Sequence, residues 1–387
     1  MLFFELLQVA LGNRDRLIGV PSAEEWTDIY AESERQAVTG ILLHGIDRLP
    51  TEQRPPQSLL LQWIMVGQMI EKRNLLLDEH CKKLIVYLSS VGLHPTILKG
   101  QGIARYYSEP LQRLRQSGDI DVYVNDGREK AVNTVEGAGL KVCGWDYKHA
   151  HIRIWKDTEV ELHYRVEVLL NLWKNRKLQR WFDVHAEEMF GHTEITETTE
   201  SSDGHIKGHT EIGEIVSSAV GGKGHTESTE MVTPTVEFNV FYILLHIYRH
   251  FLYEGIGLRQ IVDYYMVLRT VNDSRLMVNE YVDAVRELRM MKFAKGLMWV
   301  MHETMGMPDD WMLWNPDEKE GRYILKQVMM GGNFGHHDER LKHSGGKLGA
   351  VRAILTHNLH LLTHYPSDVV WAPVWIVWHK VWKMTRI

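Results

Sequence analysis

The feature that most constrains this chain is a change of hydrophobic period along its length. Up to about residue 90 the apolar residues recur at helical spacing. Near Gly92 the pattern changes to short strand-like runs, with period-2 alternation in "DIDVYV", and from Pro234 onward the helical spacing returns. Helices repeat near 3.6 residues and strands repeat at 2, so this pattern sets a sheet between two helical blocks. It predicts an α+β protein: an N-terminal helical region at 1–90, a small mixed-sheet core at 91–187, a low-complexity insertion at 188–232 and a C-terminal helical domain at 233–387.

Local signals agree with that division. Ser22 followed by Glu25 makes a capping box ahead of a stripe that begins with Trp26, Ile29 and Tyr30. A long helix is predicted from about Pro56 to Ser89. "HPTILKG" reads as a short strand ending in glycine, and "DIDVYV" as a second strand with Ile120, Val122 and Val124 on one face. "GREKAVNTVEGAG" reads as a helix closed by Gly137 or Gly139. Two further strands follow, Ala150–Trp155 and Glu159–Val166. Gly-His-Thr-Glu recurs at Gly191, Gly208 and Gly224 in a stretch too polar to offset chain entropy by burial, which predicts disorder there.

Composition excludes several classes. A net charge of -6 with no large basic patch argues against a nucleic-acid surface, which rests on clustered Lys and Arg. The two cysteines, Cys81 and Cys143, share no motif, so neither a disulfide framework nor a cysteine zinc site is expected, and a reducing, cytoplasmic compartment fits. No uncharged apolar run reaches the ~18 residues that span a bilayer. Near the end, Trp371, Trp375, Trp378 and Trp382 precede Lys383 and Arg386. That helix either lies peripherally at the inner membrane face or docks on the core through its tryptophans.

The chemistry centres on Gly118-Asp119-Ile120-Asp121. Alternation along a strand points both carboxylates to one side, where they repel and raise each other's pKa unless a cation joins them. A divalent ion resolves that conflict, and Mg²⁺ (or Mn²⁺) favours carboxylate oxygens together with substrate phosphates. Lys99 and Gly100 end the preceding strand, where glycine allows close approach of a phosphate. Glu161, on a later strand, supplies a third carboxylate suited to an in-line displacement at phosphorus. His163 shares its strand face. His246 and His250 stand one helical turn apart, as do Arg259 and Asp263, which are expected to pair. Ile247 replaces the glutamate of a His-Glu-x-x-His zinc motif, so a metalloprotease reading fails.

The runs "LKGQGIARYYSEPLQRLRQSGDIDVYV", "VELHYRV" and "LLHIYRHFLYEGIGLRQIVD" together resemble the bacterial, uncharacterised nucleotidyltransferase-like family of the DNA polymerase β superfamily, often associated with polysaccharide biosynthesis. The resemblance implies a nucleotidyltransferase core that moves a nucleoside monophosphate from a nucleoside triphosphate to an unidentified sugar, small-molecule or protein acceptor. It places Asp119, Asp121 and Glu161 as catalytic metal ligands, Glu161 as ligand or general base, and Lys99, Gly100, Arg115 and Gly118 near the nucleotide. His163, His250 and Arg259 fall on the substrate side. Where the superfamily has Gly-Ser this chain has Gly100-Gln101, so the serine contact to triphosphate is missing. The alternative is an inactive nucleotide-binding or regulatory protein on the same scaffold.

Overall fold

A computed structural model describes residues 2–190, 231–335, 337 and 360–385. The Gly-His-Thr-Glu repeats, with the disorder expected of them, lie outside the described residues. The fold is mixed α+β, with one five-stranded sheet set among helices.

The strands are β1 (Pro95–Ile97), β2 (Ile120–Val124), β3 (Lys141–Trp145), β4 (His149–Arg153) and β5 (Val160–His163). Their spatial order is β1-β2-β5-β4-β3. Only β2 and β5 run parallel; the other neighbours are antiparallel, so the sheet is mixed as predicted. The outer strand β3 was not predicted from sequence. It is half exposed and carries Gly144 at a register shift, so its alternation is weak.

The expected long helix is present as Gln57–Ser90, and it explains one face of the sheet. Leu77, Cys81, Leu84 and Leu88 pack on Ile120, Val122, Val124, Val160 and Leu162 in one buried cluster. Burial of this kind contributes roughly 25 cal/mol per Å² of apolar surface, and it fixes which side of β2 turns outward. Asp121 and Glu161 therefore face the other way, toward the helices that follow residue 235.

Those helices are Val236–Tyr253 and Leu258–Asp273, separated at the predicted Gly255/Gly257 break. They share a second core with the N-terminal helices Leu2–Leu11 and Thr39–Arg48 and with Met291–Met305. The Ser22–Glu25 capping box forms as expected at the start of Ala23–Arg35. At the C-terminal end, Trp371–Met384 docks on the β3–β4 turn: Tyr147 makes edge contacts with Trp375, Trp378 and Trp382 at 5.4, 5.1 and 5.2 Å between ring centroids. Among the described residues no helix is long and apolar enough to cross a membrane.

Candidate active site

The parallel pairing of β2 with β5 creates the site. It places Asp121 directly opposite Glu161 and Tyr123 opposite His163. Adjacent positions on one face of paired strands are within side-chain reach, so the two carboxylates meet although they are far apart in the chain. Asp119 lies just before β2 and has the same parity.

His163, fully buried, sits between the two acids. Its Nε2 is 2.9 Å from Asp121 Oδ1 and 3.2 Å from Glu161 Oε2. Ionised carboxylates only accept, so Nε2 carries the proton and donates to both. Burial opposes the charged ring, but the hydrogen bonds to Asp121 and Glu161 outweigh it, and the His163 pKa is raised. Lys99 adds a second cation, its Nζ 2.8 Å from Asp121 Oδ1. Burial pushes against ionisation of Asp121, yet Lys99 and His163 hold its carboxyl well below the ordinary range. Glu161 behaves likewise: burial raises it, the hydrogen bond from His163 together with the charges of His163 and Lys99 outweighs burial, and the result is about 2.

Asp119 is different. The negative charge of Asp121 and then burial raise its pKa, and Lys99 offsets this only in part. Negative charge here is thus under-compensated, and the hard oxygens of Asp119, Asp121 and Glu161 suit Mg²⁺ or Mn²⁺. Asp121, Glu161 and His163 have ligand atoms within 4.8 Å of one another; Asp119 is outside that group.

Gly100 adopts φ 60°, ψ −112°, a conformation closed to other residues, and its Cα approaches the Asp119 carbonyl closely enough that an added Cβ would lie 3.5 Å from that oxygen. Gln101, beside Gly100, turns toward the long helix. It is buried and its Nε2 donates to Asp78 Oδ1 at 2.6 Å, tying the loop to the long helix. Gly118 has open space around its Cα, so packing places no demand for glycine there.

The arginines depart from expectation. Asp263 does not pair with Arg259, its neighbour one turn back. Arg115 takes both its oxygens, Nε to Oδ1 at 2.6 Å and Nη2 to Oδ2 at 2.7 Å, and Tyr107 donates a third bond. A bidentate, desolvated pair outcompetes an i,i+4 pair on a helix surface. Arg115 is thus held by Asp263 while still lining the cleft that Asp119 and Asp121 share. Arg259 is left without a carboxylate partner among the described residues; it donates to the Gln116 carbonyl at 2.9 Å and lies 5.6 Å from the Phe334 ring centre.

Arg259 lines a narrow cleft of ≈ 40 Å³ with Lys99, Gly100, Asp119, Asp121 and His246. His250 is not among the cleft residues: its Nδ1 is 2.6 Å from Glu254, while His246, one turn earlier, faces the cleft and contacts Glu167 at 3.0 Å. A larger cavity of ≈ 770 Å³ opens at the far end of β2, beside Asn125, Arg128, Tyr147 and Arg165. It is lined by none of Asp119, Asp121 and Glu161, whereas the small cleft is lined by Asp119 and Asp121, with Glu161 outside its lining. Sequence reasoning also passed over His149 and His151, whose parity on β4 matches Glu161 across the sheet.

A strand-borne pair of acids, a third acid on the parallel neighbour and an arginine without a carboxylate partner among the described residues come together on one side of the sheet. The chain belongs to the family described as uncharacterised nucleotidyltransferase, which matches residues 22–306. That span holds the whole sheet, every acid discussed and both arginines. No curated protein and no solved structure matches the chain.

Proposed function

We propose that the protein transfers a nucleoside monophosphate from a nucleoside triphosphate to a hydroxyl acceptor at the Asp119–Asp121–Glu161 cluster. The observation that carries this reading is the direct cross-strand pairing of Asp121 with Glu161, with Asp119 two residues before Asp121. When bound, Mg²⁺ or Mn²⁺ supplies positive charge that offsets the triphosphate. The acceptor oxygen forms a bond to the α-phosphorus as its hydroxyl proton passes to water, the bond from that phosphorus to the bridging oxygen breaks, and pyrophosphate leaves with the electron pair. Asp119, Asp121 and Glu161 hold the ion, and His163 fixes the orientation of two of them. Arg259 meets the phosphates from the opposite wall. Since the cleft is far smaller than the ~300–1,000 Å³ of typical ligand sites, Lys99 has to leave Asp121 and turn to the phosphates as the cleft opens. A sugar hydroxyl, in keeping with a surface-polysaccharide setting, is the first acceptor class to try.

One observation favours a second reading. Lys99 pairs with Asp121 at 2.8 Å, which suits a scaffold that binds nucleotide and does not turn over. Incubation with α-³²P-labelled triphosphates and a cell extract separates the two. Label that appears in a product with the native chain, and is lost in Asp119→Ala/Asp121→Ala, supports transfer. Nucleotide binding without any labelled product supports the second reading, and absence of both rejects the pair.

A further inference from the structure

We propose that His149, His151 and Glu161 form a second metal site, one for an imidazole-preferring divalent ion with Zn²⁺ foremost, on the sheet face over β4 and β5 beside the carboxylate cluster. It goes beyond the reading above and shares only Glu161 with it.

The placement follows from strand geometry. His149 and His151 alternate on β4, so both project to the face that carries the acids. The antiparallel register sets His151 opposite Glu161 and His149 opposite His163. The donor atoms converge: His149 Nε2 is 3.3 Å from His151 Nε2 and 3.5 Å from Glu161 Oε1. Two ligands held about 2.0–2.1 Å from a tetrahedral zinc lie roughly 3.4 Å apart, so these spacings need almost no adjustment. His151 Nδ1 is 4.0 Å from the same oxygen, and its side chain, half exposed, is free to turn.

Glu161 divides its two oxygens between neighbours. Oε2 accepts from His163 on the Asp121 side, while Oε1 faces the histidine pair. One carboxylate therefore bridges two environments of different chemistry. The side with Asp119 and Asp121 offers hard oxygens suited to Mg²⁺, and the side with His149 and His151 offers imidazole nitrogens that Mg²⁺ disfavours and Zn²⁺ accepts. Two histidines and one glutamate with a further position free is a recurrent zinc ligand set.

The test is titration of the metal-stripped full chain with Co²⁺, followed by visible absorption, and then displacement by Zn²⁺. Because the sequence also carries His192, His205, His209 and His225, the titration is run in a variant with those four replaced by serine. One equivalent of Co²⁺ with a low-symmetry spectrum is expected, displaced by Zn²⁺ and unaffected by millimolar Mg²⁺. His151→Ala, an exposed change that leaves the fold intact, should weaken binding by about 10-fold or more, and His149→Gln should do the same. Asp119→Asn/Asp121→Asn should leave Co²⁺ binding in place while abolishing Mg²⁺-dependent nucleotide binding, so the two readings fail separately. No Co²⁺ spectrum, or binding indifferent to His151→Ala, overturns the proposal.

Discussion

Arg115 and Asp263, 148 positions apart in the chain, form a buried bidentate ion pair that joins the loop before β2 to the helix Leu258–Asp273. The pair fixes the distance between the acid-bearing strand and the helix that carries Arg259. Removing one partner leaves a charge buried and uncompensated. Arg115→Met and Asp263→Leu should each destabilise the fold by ~3–5 kcal/mol in urea denaturation, with the double variant losing far less than the sum. Additive losses would mean that the pair is not coupled.

Arg259 carries the free charge of the cleft. Loss of one charge-assisted contact costs ~1.5–3 kcal/mol, so Arg259→Ala should weaken triphosphate binding by about 10- to 100-fold with little change in Tm. Arg259→Lys should recover only part of this, since a point charge replaces a planar fork. Equal nucleotide affinity in all three proteins would remove Arg259 from the site.

Lys99 competes for the position a metal would take. Lys99→Ala should therefore bind Mn²⁺ several-fold more tightly in the absence of nucleotide, measured by the Mn²⁺ electron paramagnetic resonance signal, and bind Mn²⁺-triphosphate less tightly. In chelator the same variant should melt earlier, because burial and repulsion among the acids go unopposed. Unchanged Mn²⁺ affinity would show that the ion lies away from Asp121.

The pH dependence of stability follows from shifts in opposite directions. His163 is raised above its ordinary 6.5, so its contribution is complete below 6.5 and is lost as pH climbs through the folded value. Asp121 and Glu161 are depressed from 3.8 and 4.5, so their contributions are complete above those values and fade as pH falls through the folded ones, about 2 for Glu161. In chelator, the Tm gap between the native chain and His163→Gln should be widest between 4.5 and 6.5 and should narrow on the alkaline side. A gap that widens steadily with pH would reverse the assigned direction.

Much of this arrangement is legible in the chain. The alternation around Ile120, Val122 and Val124 identifies a strand with acids on its outer face, and the 34-residue helix Gln57–Ser90 follows from an uninterrupted helical period. The parallel register that brings Glu161 to Asp121 is not local information; it depends on the order β2-β5, which tertiary packing decides. For the same reason helix spacing assigns Asp263 to Arg259, whereas the fold hands it to Arg115, an arginine that sequence places at the nucleotide. Spacing likewise treats His246 and His250 as equals, whereas in the fold His246 lines the cleft and His250 contacts Glu254. His149 and His151 read as ordinary strand residues until β4 is paired with β5.

The central claim is that Asp119, Asp121 and Glu161 hold a divalent ion together with a nucleoside triphosphate. Isothermal titration of the native chain with each of the four triphosphates tests it, in Mg²⁺ and in chelator, beside Asp119→Ala/Asp121→Ala. Saturable binding of at least one triphosphate in Mg²⁺, absent in chelator and in the double variant, is the predicted result. Binding indifferent to both the metal and the two aspartates, or no binding of any triphosphate, would contradict it.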